Sequence, residues 1–179
     1  MAKIIIMKRK EINTMLEFIK TREVKDPIRN VEENAGIDFF IPEKDDDIIK
    51  EIVDFNGNIT FSGNDILIPA HEDILIPAGI KSKFDKNLAL NACNKSGIAS
   101  KKKLIVGAQL VDHGYQGELH IHLINTSNYT QIISFGQKIV QFVPIVLSTE
   151  EHIVRDCPEE EFFTVKTERG AGGFGSTGV

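Results

Sequence analysis

The sequence predicts an all-β fold. Short β-branched runs recur between turn residues, their spacing suits a sandwich or barrel, and only one stretch carries a clear helical period. With 179 residues the chain is long enough for one core, and 41% hydrophobic with 26% charged residues excludes a disordered chain. The longest apolar runs, such as Ile4 to Met7 and Ile145 to Leu147, fall far short of the roughly 18 residues a membrane helix needs. The N-terminal MAKIIIMKRK places apolar residues before bases, the reverse of a secretory leader, so a cytoplasmic protein is expected. Two cysteines, Cys93 and Cys157, form neither a disulfide framework nor a zinc motif. A net charge of −5 argues against duplex nucleic acid as a partner and leaves room for a small anion held by local positive charge.

In chain order, Lys3 to Met7 reads as an edge strand. Glu11 to Arg22 reads as a short helix, because Ile12, Met15, Leu16 and Ile19 share one stripe. After the Pro27 turn, Gly36 to Pro42 (GIDFFIP) is a strand, and Glu43 to Gly63 is a charged, irregular insertion. Its acidic run Asp45, Asp46, Asp47 is read as solvated loop rather than a cation site. Two copies of ILIPA, Ile66 to Ala70 and Ile74 to Ala78, are short strands stopped by proline. Further strands are expected at Ile80 to Phe84, Leu88 to Cys93, Leu104 to Val111, Glu118 to Asn125, Gln131 to Phe135 and Lys138 to Leu147. The expected organisation is one domain over 1–167 and a flexible glycine-rich lid over 168–179.

The tail literally contains GxGxxG at Gly170, Gly172 and Gly175, but no helix can follow, and a Walker A reading fails because Ser176 stands where lysine belongs. What it offers is backbone N–H groups, the hydroxyls of Ser176 and Thr177, the Arg169 fork and the Phe174 ring, a set suited to phosphates and a base. NKSGIA at 94–99 adds a lysine, a hydroxyl and a glycine turn after a strand. GAQLVDHGYQGE at 107–118 places Asp112 at a strand end and Tyr115 in the following turn, a carboxylate able to polarise water beside a ring able to pack on a sugar. Asp112 as an ordinary turn residue is the alternative that spacing alone leaves open.

Taken together, AGIDF at 35–39, NKSGIA at 94–99, GAQLVDHGYQGE at 107–118, GQKIVQ at 136–141 and RGAGGFGSTG at 169–178 resemble the five ordered motifs of the trimeric dUTPases. The resemblance spans roughly residues 24 to 179. It implies a jelly-roll-like (β-clip) subunit, a homotrimer with active sites shared between subunits, and Mg²⁺-assisted hydrolysis of dUTP to dUMP and pyrophosphate. Asp112 would activate the water that attacks the α-phosphorus, and Tyr115 would pack beneath the deoxyribose. Backbone groups of Gly107, Ala108, Gln109 and Leu110 would read uracil. Asp38 would organise the metal's water shell, while Lys95, Ser96, Gly97 and Gln141 would hold phosphate oxygens. Arg169, Gly173, Gly175, Ser176 and Thr177 would close over the phosphates, with Phe174 stacking on uracil.

Three departures stand out. Lys95 replaces an arginine and loses its bidentate geometry, Gln109 replaces a small residue, and Gly114 replaces an acidic one. The fold-related dCTP deaminases carry a catalytic glutamate where this chain has His122, which disfavours deamination. His120 and His122 share a strand face, the geometry of a two-histidine metal pair, although ordinary strand residues are the commoner outcome. The 43–63 insertion is the natural surface for a protein partner, as in phage dUTPases that capture regulators. Abundant Ile, Lys and Asn fit an AT-rich bacterial or phage genome.

Overall fold

Among the described residues every strand pairing is antiparallel, and the pairings build four small sheets. The computed structural model describes residues 16–148, 153–165 and 167. The chain divides into two units, 1–148 and 149–179, so the expected lid boundary at 168 falls inside the second.

Among the described residues, the first unit begins with β1 (Leu16–Lys20), β2 (Ile37–Phe40), helix α1 (Asp46–Phe55), β3 (Thr60–Ser62) and β4 (Asp65–Ile68). It continues with β5 (Asp73–Pro77), β6 (Ile80–Phe84), β7 (Leu88–Asn94), a π-helical turn (Ile98–Lys102) and β8 (Leu104–Val106). The last strands are β9 (Leu110–Val111), β10 (His120–Asn125), β11 (Gln131–Ser134) and β12 (Lys138–Val146). The sheet orders are β1-β6, β5-β10-β8, β11-β4-β3 and β2-β12-β7-β9. In the second unit Glu159–Phe162 forms a single helical turn, α2, and Phe162 meets Phe163 edge-on at 4.9 Å.

Period-2 burial builds the core. In β10, Ile121, Leu123 and Asn125 face inward while His120, His122 and Ile124 alternate with them. Asn125 is wholly buried and fully bonded: its amide donates to the carbonyls of Ile68, Pro69 and Tyr129, and its oxygen accepts from Ser127 N–H and Oγ–H. Phe39 and Phe142 pack with ring centres 4.6 Å apart, and Phe18 meets Phe39 edge-on at 5.4 Å.

Three local expectations are overturned. Within Glu11 to Arg22, the described residues Leu16–Lys20 form strand β1 on the edge of β6 instead of a helix. Leu16 and Phe18, two apart, pack against the core while Ile19 is exposed, so among the described residues strand pairing overrides the helical spacing. Lys3 to Met7 lies outside the described residues.

The 43–63 insertion contains helix α1. Asp45 is its N-cap, its side chain accepting from Ile48 N–H at 2.7 Å, and Asp46 and Asp47 complement the dipole in the first turn. Ile48 and Ile52, one turn apart, are fully buried. Asn56 ends the helix by exchanging both side-chain amide bonds with the backbone of Leu75 on β5. The expected strand Leu104 to Val111 is broken at 107–109 into β8 and β9, and that break makes the site described below.

A part-buried network ties α1 to the sheets. Arg22 donates to Glu118 through Nε (3.0 Å) and Nη2 (2.8 Å) and to Glu51 of α1 through Nη2 (2.7 Å), while Glu118 Oε1 also accepts from Gly79 N–H (2.6 Å). Removing the arginine leaves Glu118 largely buried without its cation, whereas removing the cap frees only one helix amide. Asp45→Ala is therefore expected to lower unfolding stability by about 1 kcal/mol, and Arg22→Ala by about 2–3 kcal/mol; equal losses in denaturant titrations would contradict the network's role.

Candidate active site

The break between β8 and β9 opens a cleft of about 200 Å³ lined by Ala108, Gln109, Leu110, Asp112, Tyr115 and His120 among others. Its two walls expose backbone polar groups for a simple geometric reason. Ala92 N–H on β7 donates to Gln109 C=O at 2.7 Å, next to the pairs Leu90↔Val111 and Asn91↔Leu110. Bonded and non-bonded pairs alternate in an antiparallel ladder, so Leu110 turns its N–H and C=O away from β7. On the opposite wall Leu119 donates to Ile80 C=O and accepts from Ala78 N–H, both at 2.8 Å. By the same alternation His120 turns its N–H and C=O toward the side of β8 and the hairpin. Two free donor–acceptor pairs thus flank the cleft.

Asp112 is exposed at this cleft, and its carboxylate accepts no hydrogen bond from the described residues. Tyr115 is held above the turn by its hydroxyl, which donates to Glu118 C=O at 2.9 Å, and by its N–H on Asp112 C=O. The His120 ring forms the wall nearest α1. Its Nδ1–H donates to Glu118 C=O at 3.0 Å, and its ring meets Phe55 edge-on at 5.4 Å. Its buried Nε2 makes no hydrogen bond and lies 4.0 Å from Glu51 Oε1.

A second cleft, of about 270 Å³, is lined by Lys95, Ser96, Gly97, Ile98, Lys138 and Gln141. Its residues come together because β12 pairs with β2 on one edge and β7 on the other, setting Gln141 opposite Asp38 and Cys93. Gln141 donates to Asn94 C=O at 2.9 Å and lies flat on Gly36, where a Cβ would come within 2.4 Å of Gln141 Oε1. That close approach is what the glycine of AGIDF provides.

Beneath this cleft sits Asp38, 5% exposed. Its Oδ1 pairs with Lys95, and its Oδ2 accepts from Lys138 Nζ at 2.9 Å and Asn30 Nδ2 at 2.8 Å. Burial alone would raise the Asp38 pKa, but hydrogen bonds from Lys95 and Lys138, reinforced by their charges, outweigh it and hold the carboxyl below its ordinary value. Two ammonium groups against one carboxylate leave a net positive charge facing the cleft.

The expected residues therefore fall into two groups. Gly107, Ala108, Gln109, Leu110, Asp112 and Tyr115 form the first cleft or its hairpin, and Lys95, Ser96, Gly97 and Gln141 form the second; the two linings share no residue. Arg169, Gly173, Phe174, Gly175, Ser176 and Thr177 lie outside the described residues.

Asp38, the residue expected to organise a metal's water shell, is here paired through Oδ1 with Lys95 and through Oδ2 with Lys138 and Asn30. Among the described residues no group of three His, Cys, Asp or Glu side chains could hold an ion. His122 has Nδ1 on Ala108 N–H and Nε2 on Asp73, so it is not half of a metal pair with His120.

Sequence reading missed two participants. Lys138 lies three residues before Gln141, which in a regular strand puts the two on opposite faces. A bulge between Lys138 and Val140 adds one residue to β12 and brings Lys138 round to Asp38. The backbone of His120 was missed because a main-chain contact leaves no mark in residue identity.

The dUTPase family model matches residues 60–178. Curated deoxyuridine 5'-triphosphate nucleotidohydrolases are similar to the chain: that of Gloeothece citriformis is 35% identical, covering 64% of this chain and 77% of the relative. That of Yarrowia lipolytica is 30% identical over 69% of this chain and 76% of its own length. Among solved structures, a Staphylococcus bacteriophage 80alpha dUTPase variant with dUpNHpp superposes with a TM-score of 0.70 at 21% identity, covering 92% of this chain and 99% of that one. A dUTPase of phage phi11 of S. aureus, which coordinates a structural Mg(II) ion, gives 0.64 at 19% identity over 81% of this chain and 99% of that one. With the jelly-roll fold shared and a family match over more than half its length, the chain belongs to the dUTPase family of dUTP diphosphatases.

Proposed function

We propose that the chain hydrolyses dUTP to dUMP and pyrophosphate by in-line attack of water on the α-phosphorus, with Asp112 as the general base. The observation that carries this reading is the pairing of an unencumbered carboxylate with a slot whose walls offer backbone N–H and C=O groups. Uracil presents a donor at N3 flanked by carbonyl acceptors, which complements such walls. Cytosine reverses the pattern at N3 and N4. Tyr115 lines the same cleft, and its ring is the group we propose packs on the deoxyribose and excludes a ribose 2′-hydroxyl. His122 is not among the residues lining the cleft and is spent on the hairpin, which speaks against a deaminase acid/base there.

The base cleft and the phosphate cleft lie on separate residue sets. This supports a homotrimer in which one subunit's hairpin holds the nucleoside and another's Lys95, Ser96, Gly97 and Gln141 hold the phosphates. Asp38 serves there as a positioning residue, fixing Lys95 and Lys138 so that their remaining N–H groups meet phosphate oxygens. The structural Mg(II) ion of a phage neighbour supports divalent-metal use by this family, and in the proposed reaction a Mg²⁺ ion is carried by the triphosphate. The biological role follows from the chemistry: less dUTP for incorporation into DNA and more dUMP for thymidylate synthesis, in the cytoplasm of a bacterium or phage-infected cell. A protein partner at 43–63 would have to use the exposed side of α1, such as Val53 and Phe55, because Ile48 and Ile52 belong to the core.

Pyrophosphate release from dUTP, dCTP, dTTP and UTP with Mg²⁺ tests the reading. Turnover of dUTP alone is expected, with Asp112→Asn reducing kcat about 10²- to 10⁴-fold; undiminished turnover in that variant would remove Asp112 as the base. Asp38→Asn is expected to raise KM through loosened lysines and to cost about 1–2 kcal/mol of stability at neutral pH. Because folding lowers the Asp38 pKa, its contribution is fully present above the ordinary carboxylate value and is lost as pH falls through the folded one. Denaturation of wild type and variant from neutral to acid pH should therefore converge at the acid end.

A further inference from the structure

One side chain governs the start of the base-reading hairpin. Gly107 N–H donates to the carbonyl of His122 at 3.0 Å, and Ala108 N–H donates to its ring Nδ1 at 2.9 Å. On the far side of the ring, Nε2 lies 2.8 Å from Asp73 Oδ2 on β5. A ring nitrogen that accepts from an amide carries no proton, so the neutral ring holds its proton on Nε2, where Asp73 accepts it. The ring also fills the space beside Gly107, where a Cβ would lie 2.3 Å from Nδ1. Gly107, Ala108 and the imidazole therefore form one fitted unit, with Asp73 fixing the tautomer.

Beyond this unit the hairpin has a second anchor, Ala92 N–H on Gln109 C=O. Ala108 and Gln109 carry these two anchors, and just after them Leu110 turns its free N–H and C=O toward the slot. If the first anchor is lost, Ala108 is exposed and water can take over its N–H, so the fold loses little. What is lost is the preorganisation of the edge that must meet a planar base.

We propose that His122, held by Asp73, is the positioning residue that presets the hairpin for pyrimidine recognition, a role outside the catalytic set. The proposal rests on the dUTPase reading of the cleft. The base is held alike in ground and transition states, so the effect falls on KM and on base discrimination rather than on kcat.

The test compares His122→Leu, which fills the space without an acceptor, with His122→Asn, whose amide oxygen replaces Nδ1. His122→Leu is expected to raise KM for dUTP about tenfold with kcat within about threefold, and to narrow the preference for dUTP over dCTP. His122→Asn should restore most of both, and Asp73→Asn should stay within about twofold of wild type because its amide oxygen still accepts the Nε2 proton. A fall in kcat at unchanged KM, or equal losses in the leucine and asparagine variants, would overturn the proposal.

Amide exchange in protein labelled with ¹⁵N-alanine reads the same anchor without turnover. Ala108 N–H should be protected in wild type and His122→Asn and fast in His122→Leu, and equal exchange in all three overturns the proposal whatever the activity. If wild type fails to hydrolyse dUTP while Ala108 follows this pattern, the hydrolase reading falls and the anchor stands. Should the leucine variant not fold, the ¹⁵N spectrum of wild-type His122 still decides: a proton on Nδ1 refutes the arrangement.

Discussion

The double pairing of β12 is the constraint on which the rest depends. A strand bonded on both edges cannot slip without breaking two ladders, and here those ladders run to β2 and β7. Residues from 36 to 141 are thereby drawn into one row, with Gln141 between Asp38 and Cys93 and the Lys95 turn following directly from β7. The bulge in β12 buries the adjacent Ile139 and Val140 together and re-aims Lys138. A packing device thus assembles the charge cluster, because the same bulge that lets Ile139 and Val140 both face the core turns Lys138 toward Asp38.

The cleft at Asp112 is built by the opposite means, a ladder that is interrupted. Continuous pairing through 107–109 would consume every backbone group in sheet bonds and leave none for a ligand. The break frees the edges of Leu110 and His120 while His122 and Ala92 keep the segment from wandering. The groups left open are main-chain dipoles held by neighbouring strands, so the identity of the Gln109 side chain does not remove them.

Helix α1 is joined to this cleft wall through Glu51, Phe55 and the His120 ring, and to the hairpin base through Arg22 and Glu118. The segment that looks like an insertion in sequence is therefore a buttress as well as a surface. Its buried isoleucines make it part of the core.

Much was legible in the sequence. Strand positions followed from β-branched runs between glycine and proline, and the order of five short motifs pointed to the family. Helix α1 was not legible, because β-branched isoleucines and a run of aspartates look irregular until Asp45 is seen capping an amphipathic turn. Nor was β1, where a helical spacing and a strand spacing coexist and pairing with β6 decides between them. The sequence by itself determined which side chains the chemistry could use, since identity and spacing are local properties. Only the tertiary structure decided where their charges and backbone edges point: that Asp38 is neutralised by two lysines, that Lys138 joins them, and that His122 faces the hairpin. Those outcomes depend on a bulge and a broken ladder, features set by long-range pairing and not by any short run of residues.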